Sequence, residues 1–332
     1  MSRKLTIASE SLPLSRPFRI SRGVKSAADV VVAMVEQDGV VGRGECVPYP
    51  RYNETVETTV AAIGKQREAI EAGAGRDDLL RSMRAGAARN ALDCALWDLE
   101  LRLSGQDIFS ALGLPRPERI ATAMTVGLDR PDRMAIAARD LADVPLIKVK
   151  VDASDPAAQL LAVRSAAPGP KMIVDPNESW SMAEVDGLQD LMIELRVGLL
   201  EQPLPSADDA ELQGYLSRIP VAADESLHTV ADIGSLPDGY GVANIKLDKA
   251  GGLTAALALA DAAKARGMEL MIGCMISSSL SIAPALVLAA RCSFVDLDGP
   301  LWLAHDRAGG VGGDAGYLTG PATGFWGEPR SR

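Results

Sequence analysis

Eight short β-rich segments recur along residues 122–298 at a nearly constant interval. They cover 122–127, 147–151, 172–177, 198–203, 221–226, 243–247, 269–275 and 293–298. Successive starts differ by 25, 25, 26, 23, 22, 26 and 24 residues, which leaves a helix-length stretch between neighbours. A strand-plus-helix unit repeated eight times is what a parallel α/β barrel requires. No clear helix follows the eighth segment before the glycine-rich stretch 309–316. The pattern therefore predicts a (β/α)7β modified TIM barrel over 119–309.

The N-terminal third reads differently. Residues 4–12 and 29–36 have strand composition, and Asp38-Gly39 is a hairpin turn into a return strand over 40–45. Helical stretches follow at 54–72, 77–83 and 86–103. The last carries Ala88, Ala91, Leu92, Ala95, Leu96 and Leu99 at helical spacing and stops near Gly105. Strands followed by helices make an α+β unit over 1–118, and the tail from about 310 to 332 is expected to pack back on it.

A chain of 332 residues with 47% apolar content can bury both units. Lys+Arg of 34 against Asp+Glu of 44 gives 34 − 44 = −10, which argues against nucleic acid or an anionic membrane as a partner. Aromatics are only 4%, too few for a base-stacking platform. Cys46, Cys94, Cys274 and Cys292 form no CxxC pair, so reduced thiols in a cytoplasmic protein are expected. The first residues have no apolar signal-peptide core, and the apolar run 282–290 is too short to span a bilayer and contains Pro284.

In such a barrel the C-terminal strand ends face the active site. Those ends carry Thr125, Lys148 and Lys150, Asp175 with Asn177, Glu201, Asp224 with Glu225, Lys246 with Asp248, Cys274, and Asp296 with Asp298. Each of Asp175, Glu201 and Asp224 alone is ordinarily a strand-end or cap residue. At matched register in three consecutive repeats they would repel one another, and a hard divalent cation relieves that. Mg2+ fits, because it accepts few protein carboxylates and keeps positions open for substrate oxygens. The alternation of Ile147-Lys148-Val149-Lys150-Val151 puts both lysines on one strand face, which is also how a solvated face reads. Lys246 lies on the sixth strand, across the ring from the second, so an amine would stand on each side of a bound substrate. A salt bridge from Lys246 to Asp224 or Asp248 is the simpler alternative.

On these motifs the chain resembles the enolase superfamily, and within it the muconate-lactonising subgroup. The matching stretches are the lysine pentapeptide, Val174-Asp175-Pro176-Asn177, Leu200-Glu201-Gln202-Pro203, Ala223-Asp224-Glu225-Ser226 and Asn244-Ile245-Lys246-Leu247-Asp248. The resemblance covers essentially the whole chain, including a capping N-terminal domain. Phe294-Val295-Asp296-Leu297-Asp298-Gly299-Pro300 is similar to the DxD motif with which dipeptide epimerases hold the α-ammonium of the first residue. A strand-end acidic pair that caps a lysine or faces solvent is the plainer reading. Arg22 matches the arginine that Ala–Glu epimerases use for the glutamate side chain. Pro176 stands where the family often has alanine, and an extended strand end tolerates it. The loop Met275-Ile276-Ser277-Ser278-Ser279 is left without a role.

The resemblance implies epimerisation of the C-terminal residue of a dipeptide, L-Ala-D/L-Glu from peptidoglycan turnover. One Mg2+ per subunit would sit on Asp175, Glu201 and Asp224. Lys150 and Lys246 would exchange the α-proton on opposite faces, with Lys148 and the metal against the ene-diolate charge. Arg22, Thr125, Lys148, Cys274, Asp296 and Asp298 would contact the substrate, in a homo-oligomer. Within the same chemistry, o-succinylbenzoate synthesis or muconate cycloisomerisation are alternatives that need no ammonium pocket. A catalytically silent ligand-binding protein on this fold is the alternative of another class. His228 and His305, the two histidines, are given structural roles only.

Overall fold

The structure, a computed structural model, describes residues 3–20 and 23–328. Strands β1 (Arg3–Ile20) and β2 (Gly23–Gln37) form an antiparallel hairpin, and β3 (Val40–Cys46) completes a three-stranded sheet in the order β1-β2-β3. The helix Ala87–Ser104 lies on this sheet. Val31, Ala33 and Val35 alternate along β2 and are buried with Ala91, Leu92, Ala95, Leu96 and Leu99 of the helix. The period-2 stripe of the strand thus meets the 3.6-period stripe of the helix. Close approach depends on Gly42 and Gly44. A Cβ at Gly44 would stand 2.1 Å from Ala91 O, and one at Gly42 would stand 2.2 Å from Ala95 O.

Two details depart from the sequence pattern. The stretch read as one helix over 54–72 is two, Val56–Gly64 and Arg67–Glu71. The β1–β2 hairpin also runs well beyond residue 12. Phe18 pairs with Lys25 and Arg19 with Val24, after a register shift between Pro13 and Phe18. Side chains along this arm are mostly exposed, so backbone pairing rather than apolar alternation defines it.

After the short β4 (Ile120–Ala121) come eight parallel strands: β5 (Met124–Val126), β6 (Leu146–Lys150), β7 (Lys171–Asp175), β8 (Val197–Glu201), β9 (Val221–Ala223), β10 (Val242–Ile245), β11 (Glu269–Gly273) and β12 (Phe294–Asp296). Each overlaps its predicted segment, and they pair in sequence order. The ring closes where Ala123 N–H donates to Val295 O at 2.8 Å and Leu297 N–H donates to Thr122 Oγ1 at 2.9 Å. A 3-10 helix, Gly299–Trp302, follows β12 in place of an eighth α-helix. The connector after β8 is also 3-10, Ser206–Leu212, entered through Pro203 and Pro205.

Inside the ring the side chains form layers. Ala123, Leu146, Ile173, Leu199, Ala222, Val242, Met271 and Phe294 pack together as an apolar floor. Two residues further along each strand is the next side chain on the same face. That step gives Thr125, Lys148, Asp175, Glu201, Asp224, Asn244, Gly273 and Asp296. A closed apolar layer therefore carries a nearly all-polar one directly above it.

The tail pairs β13 (Gly312–Asp314) with β14 (Tyr317–Thr319), and β14 with β4. Further on, Trp326 Nε1 donates to Arg43 O of β3 at 2.9 Å and Gly327 N–H to Asp98 Oδ1 of the helix Ala87–Ser104 at 2.8 Å.

Asp248 is one of the links between the two units. Its Oδ1 accepts from Val47 N–H at 3.0 Å and from Asn90 Nδ2 at 2.8 Å. Burial, aided by Glu54 and Glu45, pushes its carboxyl up to about 7. The folded value lies above the unfolded one, near 3.9. The stabilisation from the neutral acid is therefore complete below about pH 4 and is lost as pH rises through about 7. Asp248→Asn keeps an oxygen for both donors and cannot ionise. Thermal melts should find it more stable than wild type at pH 8, by about 1–3 kcal/mol, with the gap closing toward pH 4. A variant less stable than wild type at pH 8 would contradict this account.

Candidate active site

The polar layer and the hairpin arm enclose one cavity of about 370 Å3. Its barrel side includes Thr125, Lys148, Lys150, Asp224, Lys246, Cys274, Asp296 and Asp298, so eight of the predicted site residues line one space. Phe18, Val24 and Lys25 of the hairpin arm and Tyr49 to Tyr52 close it from the cap side. Arg22 lies outside the described residues.

Lys148 is buried at the centre. Its Nζ stands 2.9 Å from Asp175 Oδ2, 2.7 Å from Glu201 Oε2 and 2.8 Å from Asp296 Oδ2. Burial pulls its pKa down, but Asp175, Asp296 and Glu201 together outweigh it and hold the ammonium well above the usual lysine range. Lys150 Nζ donates to Asp175 Oδ2 at 2.5 Å, and Lys246 Nζ to Asp224 Oδ2 at 2.6 Å. For Lys246, burial works against the charge and Asp224 more than restores it, so its pKa also lies well above the ordinary value. Lys246 thus makes the Asp224 bridge foreseen as its simpler reading, inside the cavity rather than on a surface. Gly273 leaves the space for it, since a Cβ there would lie 2.9 Å from Lys246 Cε.

The three carboxylates at consecutive strand ends are all buried. Burial would raise each one. The lysines outweigh burial at Asp175 and Asp224, which are held below the usual carboxylate range. They do not at Glu201, where burial and then Asp175 push the carboxyl up to about 8. A buried carboxylate short of positive charge, between two others on adjacent strands about 4.8 Å apart, is an oxygen-only donor set suited to a hard cation. Among the described residues no three His, Cys, Asp or Glu side chains already surround a single point. The ammonium groups of Lys148, Lys150 and Lys246 hold the carboxylate oxygens instead. In chemistry the three carboxylates suit Mg2+, and to hold it they would have to turn their oxygens from the lysines toward one point.

Asp296 and Asp298 both line the cavity, with different partners. Asp296 Oδ2 accepts from Lys148 at 2.8 Å. Asp298 Oδ2 accepts from Thr125 N–H at 3.0 Å and Trp302 Nε1 at 3.1 Å, which ties β5 to the end of β12. Burial and then Asp296 push Asp298 up to about 6. Burial and both aspartates push the Cys274 thiol well up, which favours the neutral thiol at the cavity wall.

Sequence reasoning missed two buried residues of this network. Asn244 Nδ2 donates to Glu201 Oε1 at 2.9 Å. Its place two residues before Lys246 on the same strand face was a usable signal. Lys249 Nζ donates to Asp224 Oδ1 at 2.5 Å and to Asn244 O at 3.1 Å. It sits on the short helix Leu247–Ala250, off any strand register, and nothing in the pattern marked it.

A closed β/α ring with lysines on its second and sixth strands, carboxylates on its third to fifth and an α+β cap over its mouth defines an enolase-type barrel enzyme. Matches to family models agree. Residues 2–113 match the mandelate racemase / muconate lactonizing enzyme N-terminal domain, and residues 133–307 match the enolase C-terminal domain-like family. The chain belongs to the mandelate racemase / muconate lactonizing enzyme family. It is 46% identical to the L-Ala-D/L-Glu epimerase of Escherichia coli over 306 residues, covering 92% of this chain and 95% of that protein. A crystal structure of an enolase family member from Agrobacterium tumefaciens, with homology to dipeptide epimerases and with bound sodium and L-Ala-L-Glu, matches with a TM-score of 0.94. It is 42% identical, covering 98% of this chain and 100% of that one. A dipeptide epimerase from Enterococcus faecalis, complexed with Mg and L-Leu-L-Tyr, matches with a TM-score of 0.89 at 28% identity, covering 98% and 99%.

Proposed function

We propose that this protein is a Mg2+-dependent dipeptide epimerase that interconverts L-Ala-D-Glu and L-Ala-L-Glu. The observation that carries the reading is the gathering of Lys150 and Lys246, from opposite strands of the ring, into one cavity with Asp224 and the Asp296/Asp298 pair. Asp175, Glu201 and Asp224 would hold the cation, which when bound supplies positive charge beside the substrate carboxylate and makes the α-proton more acidic.

The chain's own groups do the rest. One lysine, as the free amine, takes the proton from Cα of the second residue, and the C–H electron pair moves into the adjacent carboxylate. The lysine on the other face then donates its proton to Cα, and the configuration is inverted. Lys150 and Lys246 each donate to a carboxylate of the layer, Asp175 and Asp224, and their roles exchange between the two directions of the reaction. Lys148, surrounded by three carboxylates, keeps its proton and serves as fixed positive charge where negative charge develops. Asp296 and Asp298 supply the anionic wall for the α-ammonium of the first residue. Lys25, a cation on the cap side lying 4.8 Å from the centre of the Tyr49 ring, lines the cavity and suits a glutamate side chain.

The chain divides in this reading into a cap over 1–118 and a barrel over 119–309. The four free cysteines fit a reducing, cytoplasmic setting, and an L-Ala-D/L-Glu substrate would place the reaction in peptidoglycan peptide recycling. No helix among the described residues is long and apolar enough to cross a membrane. A homo-oligomer follows by family analogy.

The test is proton NMR of L-Ala-L-Glu with the protein and Mg2+ in D2O. The glutamate α-proton signal should disappear as the other diastereomer forms. Chelation should stop the reaction and Mg2+ restore it, while N-acetyl-L-Ala-L-Glu, which lacks the ammonium, should turn over poorly. If no dipeptide in a broad panel exchanges, the reading fails, and o-succinylbenzoate synthase and cycloisomerase substrates become the next assay.

A further inference from the structure

The serine run that the sequence left without a role connects the cavity wall to a buried glutamate of the cap. Glu45, near the end of β3, is 1% exposed. Its Oε1 accepts from Ser278 N–H at 2.8 Å, and its Oε2 accepts from the Ser278 hydroxyl. Arg307, in the tail, closes the cluster. Its Nη2 donates to Glu45 Oε2 at 2.7 Å, its Nε to Ser278 Oγ at 2.7 Å, and Nη2 also to Glu10 Oε1 of β1 at 3.2 Å. The Glu45 carboxylate therefore joins β3 to a barrel loop and the tail, and Arg307 adds β1 through Glu10.

The loop it holds matters because of what lies just before Ser278. Cys274, Met275 and Ile276 line the cavity. Met275 and Ile276 also pack against Ala28, Val30, Val47 and Leu303, mostly residues of the cap. From the end of β11 to the helix Ser279–Ala289 the backbone belongs to no sheet ladder, so its position depends on such attachments. Charge-assisted hydrogen bonds to a buried carboxylate are the strongest available here. On the far side Gly299 fits closely, since a Cβ there would stand 2.7 Å from Met275 O.

We propose that Glu45 is a positioning residue for substrate binding, which acts through Ser278 to fix the Cys274-Met275-Ile276 wall against the cap. The proposal rests on reading the cavity as the dipeptide site. Glu45 and Ser278 are absent from the cavity lining and hold no proton that the reaction moves. Their loss acts on affinity rather than on proton transfer.

Ser278→Ala and Glu45→Gln test this. Each should raise KM for the dipeptide about tenfold and leave kcat within about twofold. Hydrogen–deuterium exchange of the peptide over 270–280 should quicken by about tenfold, with the Lys150 and Lys246 peptides unchanged. Ser278→Ala keeps the Glu45–Arg307 pair and is the decisive variant should Glu45→Gln fold poorly. A lower melting temperature with unchanged KM and unchanged exchange over 270–280 means an ordinary structural contact and overturns the proposal. If the wild-type protein turns over no dipeptide, the function reading has failed. The exchange experiment then judges the clamp alone, and unchanged exchange over 270–280 overturns it.

Discussion

Lys246→Ala is expected to abolish epimerisation while leaving the protein able to exchange the α-proton of one diastereomer with solvent. Removing a positioned general acid–base group costs about a hundred- to ten-thousand-fold in rate. The remaining lysine, on the opposite strand of the ring, is untouched. The cation site should survive the change, because Asp224 Oδ1 still has Lys249 at 2.5 Å and Asp175 still has Lys150. Lys150→Ala should give the mirror result, with exchange confined to the other diastereomer. The measurement is α-proton loss from L-Ala-L-Glu and L-Ala-D-Glu, incubated separately in D2O with each variant. Two single variants that both epimerise at the wild-type rate would sink the two-base mechanism. Two variants that both lose all exchange with both diastereomers would show that the lysines act as one unit.

The polar layer explains why so much of this site is legible in the amino-acid sequence. Its residues come two positions after buried apolar ones on the same strand face, as in Ile173 then Asp175 or Leu199 then Glu201. A charge placed there costs too much to be incidental. Legibility ends where position is set by something other than that period. The outer hairpin arm, with Phe18 and Lys25, is held by backbone pairing along an exposed ribbon, so its side chains carry no alternation. Lys249 reaches Asp224 from a one-turn helix whose placement depends on Gly251 and on the cap packed beneath it. Asp298 shows a third limit. The motif marks it as a ligand for an ammonium, and nothing in the sequence tells that its carboxylate also takes Thr125 N–H and Trp302 Nε1 and so helps to close the ring.

Glu201→Gln separates what this site does for stability from what it does for chemistry. Glutamine has nearly the same shape and keeps an oxygen for Lys148 and Asn244, which stand 2.8 Å and 2.9 Å from Glu201 Oε1, while its amide nitrogen replaces the Oε2 that Lys148 also meets at 2.7 Å. What it removes is an ionisable group that burial and then Asp175 already push up to about 8 without the cation. The relief of a buried carboxyl and the lost contact of Lys148 with Oε2 oppose each other, so in the presence of chelator the variant should melt close to the wild-type temperature. Mg2+ binding should change far more. Loss of one of three anionic oxygens in a site screened from water should weaken it on the order of a hundredfold or more. Epimerisation at ordinary Mg2+ should fall with it, and excess Mg2+ should recover part of the rate. Calorimetric titration with Mg2+, melting in chelator and the NMR assay together decide the matter. Unchanged Mg2+ affinity would remove Glu201 from the cation site, and a marked loss of stability in chelator would mean that its charge serves the fold through Lys148. The expected combination, a protein of nearly unchanged stability that has lost its metal, is what a carboxylate kept for function rather than for folding should give.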